Sequence, residues 1–89
     1  MRLPKLYTLI ECRWIDIVGQ INEPLMSSKP QRCKTVGWLA RVEKDYIVIA
    51  TSIYEGEGEN PTIDGCAIPL GCVESVSYTH LTLPTSDLV

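Results

Sequence analysis

Apolar and polar side chains alternate along the first part of the chain, from about Tyr7 to Val18. Ile10, Cys12, Trp14 and Val18 fall on one face at a period of two, with Glu11 and Arg13 on the other. That period describes a half-buried β-strand. Asp16 interrupts the apolar face, so the strand is expected to end or bulge there. Gly19 to Gln31 carries Pro24, Pro30 and the pair Ser27-Ser28, and reads as a connection holding at most one short helical turn.

Alternation resumes from Lys34 to Glu43. Val36, Trp38, Ala40 and Val42 line one face, and Thr35, Leu39, Arg41 and Glu43 the other. A short link centred on Lys44 leads into Tyr46–Thr51, which is rich in β-branched and aromatic residues, so the two segments predict a β-hairpin. Gly37 costs strand stability, which predicts a bulge or a close backbone approach beside Trp38. Ile63–Pro69 predicts a fourth strand, stopped by a proline that has no amide hydrogen to donate. Leu70 and Gly71 then turn the chain, Gly71 being free to take the left-handed conformation, and a fifth strand starts at Cys72. The pattern as a whole predicts an all-β fold, a small five-stranded antiparallel barrel or strongly twisted sheet.

With 89 residues, the chain allows one domain. Folding at this size buries only about 60% of the extended chain's surface. The 45% hydrophobic content still argues for a folded core rather than a disordered chain. No stretch approaches about 18 uncharged apolar residues, which argues against a transmembrane helix. Glu11 stops the apolar run that follows Arg2 and Lys5, and no small-residue cleavage site comes after it, so no secretory leader is expected. The expected location is cytoplasmic. In a reducing compartment Cys12, Cys33, Cys66 and Cys72, which lack paired CxxC spacing, read as structural thiols rather than disulfides or zinc ligands. Cys12 and Cys72 are both placed in strands.

Charge modifies this picture. All eight Lys and Arg residues lie within positions 1–44 beside four acids, whereas positions 45–89 hold seven acids and no base. Arg2, Lys5, Arg32, Lys34 and Arg41 are the patch the sequence offers to a nucleic-acid backbone. The segment from Glu55 to Pro61 reads as an exposed acidic loop and lacks the ligand order of an EF-hand. Asp16, Asp45 and Asp64 are the candidate carboxylates, and for each a turn-forming hydrogen bond to backbone is the simpler role. No phosphate-binding loop or dinucleotide fingerprint is present. No catalytic, cofactor-binding or metal-ligating residues are therefore assigned, no cofactor is expected, and the chain is read as a non-enzyme. Trp14 and Trp38 have two readings, core packing or an exposed platform on which unpaired bases stack.

Two resemblances bear on these expectations. Trp14-Ile15-Asp16, the run Cys33–Leu39, the run Asp45–Ala50 and the run Ile68–Val73 together resemble small bacteriophage and prophage proteins of no assigned activity. That resemblance implies an accessory protein acting on a host or phage protein, and it carries no site residues. Val76–Val89 resembles a translated sequencing-library adapter, which implies a single β domain over residues 1–75 and a non-native tail over 76–89. His80, Ser77 and Asp87 then carry no functional weight. The function expected is a non-enzymatic protein-interaction module. The alternative is a weak single-stranded nucleic-acid binder, and no membrane partner is expected.

Overall fold

The computed structural model of the protein describes residues 2–19, 21–55 and 61–78. Its strands are β1 (Leu9–Asp16), β2 (Gln31–Val42), β3 (Tyr46–Ile53), β4 (Ile63–Pro69) and β5 (Val73–Tyr78). Two single turns of 3₁₀ helix, η1 (Leu25–Ser27) and η2 (Leu70–Cys72), sit in the connections. The strands form one five-stranded sheet in the order β4-β3-β2-β1-β5, and every neighbouring pair is antiparallel. The all-β architecture thus follows from the alternation in the sequence.

The sheet cannot be flat. β4 and β5 occupy its two edges, yet only η2 separates them in sequence. Four strand steps of about 4.8 Å would place the edges roughly 19 Å apart. Four residues in 3₁₀ geometry rise only about 8 Å. The sheet therefore curls, bringing the Pro69 end of β4 toward the Val73 end of β5. The amide of Leu70 also donates to the Asp45 carbonyl at 2.9 Å, tying η2 to the β2–β3 turn.

The hollow of this curl holds the core. Ile10 and Cys12 from β1, Leu39 from β2, Ile47 and Ile49 from β3 and Ile68 from β4 are all no more than 1% exposed. Leu3, Trp14, Leu70, Val73 and Val76 pack around them. Pairing explains the grouping, because residues directly opposite share a face: Leu39 and Cys66 both lie opposite Ile49, and Ile68 lies opposite Ile47.

β2 departs from its expected facing. Leu39, not Trp38, enters the core, while Trp38 is 37% and Val36 47% exposed on the opposite face. The inner positions of β2 opposite Ile10 and Cys12 are Gly37 and Thr35, two residues that give a weak apolar signal. The register shifts between Leu39 and Arg41, so Ala40 is an extra residue that returns Val42 to the face of Leu39. Gly37 serves a close approach: an added Cβ would overlap the Ala50 carbonyl oxygen and lie 2.9 Å from Ile49 Cγ2. The link expected at Gly71 is also different. It is the centre of η2 and does not use the left-handed conformation, and Cys72 belongs to this turn rather than to β5.

β5 runs across position 75 and pairs Val76 with Cys12 and Tyr78 with Ile10. Residues 79–89, which include His80 and Asp87, lie outside the described residues, as does the centre of the acidic loop, 56–60.

Two expectations test this packing by urea denaturation. Leu39→Ala should cost about 2–5 kcal/mol, and Val36→Ala under about 1 kcal/mol. Equal losses would mean that both faces of β2 are core. A chain stopped at Ser75 should melt below one stopped at Tyr78, and equal melting would show that the Val76 and Tyr78 pairings contribute nothing.

Candidate functional site

The β1–β2 connection holds several large apolar residues, and its side chains do not join the core. Ile17 is 90% exposed, Ile21 83%, Leu25 82% and Met26 90%. η1, which presents Leu25 and Met26, buries no residue. Apolar side chains scattered singly over a surface need no explanation, whereas this one connection carries four that are more than 80% exposed. The loop is also locally ordered. Both the amide and the hydroxyl of Ser27 donate to the Pro24 carbonyl, at 3.0 and 2.8 Å. Asn22 holds a left-handed backbone, φ 54°, which asparagine tolerates better than most residues.

At the base of this loop the end of β1, the Ser28–Pro30 segment and η2 frame an open recess of about 470 Å³. Its apolar lining comes from Ile15, Ile17, Val18, Pro30 and Cys72, and its charged lining from Asp16 and Lys29. The Asp16 carboxylate accepts the Ile17 amide at 2.8 Å, as expected for an acid that caps a strand end. The sequence marks this connection only as a link with at most one short helical turn. The available signal is Ile21 ahead of Pro24, and Leu25 and Met26 between Pro24 and Pro30, all apolar and without strand periodicity.

The structure brings together only part of the basic patch. Arg32 and Lys34 meet Arg13, a residue outside the expected set, in a cleft of about 330 Å³ that also includes Glu74. Arg13 is paired with Glu11 at 3.0 Å and Arg32 with Glu74 at 3.4 Å. Arg41 lies elsewhere, paired with Glu43 at 2.6 Å and stacked 5.8 Å from the centre of the Tyr46 ring. Arg2 lines a different hollow beside Val76 and Tyr78. Surface pairs of this kind add little stability, but they offset the charge that a phosphate backbone would meet.

Trp14 and Trp38 do not form one platform. Trp14 packs against the core and donates from Nε1 to Thr35 Oγ1 at 2.9 Å. Trp38 lies on the outer face between Leu9 and Ala50 of the flanking strands. Asp64 lies within β4 rather than in a turn, and its carboxylate accepts the Tyr54 hydroxyl at 3.2 Å. Asp45 contributes a backbone carbonyl, the acceptor for Leu70.

All four cysteines are free thiols. Burial pushes the Cys12 thiol above its ordinary value, and the nearby Cys66 adds to the effect. Burial likewise raises Cys66, opposed by a hydrogen bond with Thr35. A raised value keeps these thiols neutral, which disfavours nucleophilic or metal-binding behaviour. Among the described residues no three His, Cys, Asp or Glu side chains gather as a metal site, and no helix is long and apolar enough to cross a membrane.

A scan against family models gave no match to this chain, and neither did comparisons with curated proteins and solved structures. This corrects the expectation drawn from Trp14–Asp16, Cys33–Leu39, Asp45–Ala50 and Ile68–Val73: nothing found ties the chain to bacteriophages or prophages. Short β-strand motifs of this kind recur because they satisfy pairing and turn chemistry, which gives them little power to identify a lineage.

The thiols predict an alkaline limit to stability. Because Cys12 and Cys66 hold their protons more tightly folded than unfolded, their contribution is complete at neutral pH and is lost as pH rises beyond the ordinary thiol value of 9.0. The drop in unfolding free energy from neutral to alkaline pH should be smaller in Cys12→Ala than in the parent chain. An undiminished drop would show that Cys12 ionises as freely folded as unfolded.

Proposed function

We propose that this domain is a non-enzymatic protein-interaction module whose contact surface is the β1–β2 loop with the recess at its base. The observation that carries the reading is the exposure of Ile17, Ile21, Leu25 and Met26, each above 80%, on a loop braced by the Pro24–Ser27 hydrogen bonds. The hydrogen-bonded Pro24–Ser27 turn loses little entropy when it docks, and the apolar side chains gain by leaving water. The curled sheet is read as a small barrel that acts as a rigid scaffold for this loop. The short η2 link and the single core shared by β1, β2, β3 and β4 support that reading.

Single-stranded nucleic-acid binding is the weaker alternative. It would rest on the Arg13–Arg32–Lys34 cleft, where both arginines already face carboxylates.

The discriminating variant is Ile21→Ser/Leu25→Ser/Met26→Ser, whose exposed positions leave the core untouched. It should keep the parent's melting temperature and lose the proteins that the immobilised parent retains from a cell lysate. Identical retention by parent and variant, together with oligonucleotide binding that weakens steeply as salt rises, would overturn the interaction reading in favour of the basic cleft.

A further inference from the structure

We propose that Arg13, Lys34 and Ser75 form a binding site for one phosphate-type oxyanion on the outer face of the sheet. The site is separate from the β1–β2 loop, and it stands or falls independently of the interaction reading. Strand pairing builds it. Arg13 of β1 lies opposite Lys34 of β2 on one side and opposite Ser75 of β5 on the other, so the three form one row on one face. All three are exposed, and they line the cleft of about 330 Å³ that also includes Arg32 and Glu74.

Like charges directly opposite each other on neighbouring strands weaken a sheet. Arg13 and Lys34 are such a pair, and among the described residues Lys34 has no ion pair or hydrogen bond to offset the repulsion. An oxyanion between the two side chains turns that repulsion into a clamp. A second feature marks the same place. The β1–β5 register shifts between Arg13 and Trp14, which face Ser75 and Val73, so Glu74 is an extra residue. Bulges are frequent beside functional sites, where they re-aim a side chain. This one directs the Glu74 carboxylate to Arg32 at 3.4 Å and leaves Ser75 as the β5 residue beside Arg13.

The donors suit a phosphate group. Arg13 meets Glu11 through Nε at 3.0 Å, which engages one of the five guanidinium N–H donors. Arginine supplies a fork, lysine a point charge and serine a hydroxyl donor. Glu11 and Glu74 offset two of the three cations Arg13, Arg32 and Lys34, leaving one positive charge in excess. That excess matches one compact anion rather than a run of backbone phosphates, each of which needs its own cation.

Titration of the full chain with inorganic phosphate, followed by amide NMR and compared with chloride at matched ionic strength, tests the proposal. The expected result is a saturable shift of the amides around Arg13, Lys34 and Ser75 in phosphate alone. Arg13→Gln and Lys34→Gln should each weaken phosphate binding by about tenfold or more. In chloride, Lys34→Gln should melt no lower than the parent, because it removes the like-charge pair. Phenyl phosphate binding more tightly than inorganic phosphate assigns the site to a monoester, and equal or weaker binding assigns it to the free ion. Equal shifts in phosphate and chloride overturn the site, as does saturable phosphate binding that survives both substitutions. A single-stranded oligonucleotide whose affinity falls with salt as steeply as several phosphate contacts require also overturns it, because the cleft then follows a strand rather than one anion.

Discussion

The fold depends on the shortness of one connection. η2 joins the two edge strands of a five-stranded sheet, and a link of that length can be made only if the sheet rolls. Rolling brings β4 across toward β1 and β2, which puts Cys66 beside Cys12 and within hydrogen-bonding reach of Thr35. The hollow thus made is small, and a handful of isoleucines and one leucine fill it. For a chain of this size, curling is how a single sheet finds a second apolar surface to bury against without an opposing layer.

The β1–β2 loop stays outside this hollow. Ile10, Leu39, Ile47, Ile49 and Ile68 from β1, β2, β3 and β4 form the buried cluster, and Ile17, Ile21, Leu25 and Met26 stay outside it, each more than 80% exposed. η2 lies at that end, and its Cys72 lines the recess. The exposed apolar side chains of the loop are available to whatever approaches the mouth of the recess.

Much of this architecture was legible in the sequence. Ile10, Cys12 and Trp14 announced β1 at a period of two, and Pro69 marked the end of β4. The facing of β2 was not legible, for a local reason. Its inner positions include Gly37 and Thr35 while its outer positions carry Val36 and Trp38, so counting apolar residues inverts the strand. The extra residue at Ala40 then resets the alternation, and a bulge leaves no mark in side-chain chemistry. The candidate site was hidden for a different reason. An apolar residue without periodicity looks like core in a sequence, and only the exposure of Leu25 and Met26 in the structure shows that they lie outside it.

Gly37 and Gly65 stand on the strands flanking β3 and approach adjacent peptides of it. An added Cβ at Gly37 meets the Ala50 carbonyl and Ile49 Cγ2, and one at Gly65 meets the Ile49 carbonyl and the Ala50 Cα. Nearly all of these atoms are main chain, which every amino acid possesses. A crowded side chain can be relieved by trimming its neighbour, but a crowded carbonyl has nothing to trim. The two glycines are thus removed from the ordinary traffic of compensating substitutions: however far the rest of the core drifts, no change of residue at 49 or 50 can make room for a side chain at 37 or 65.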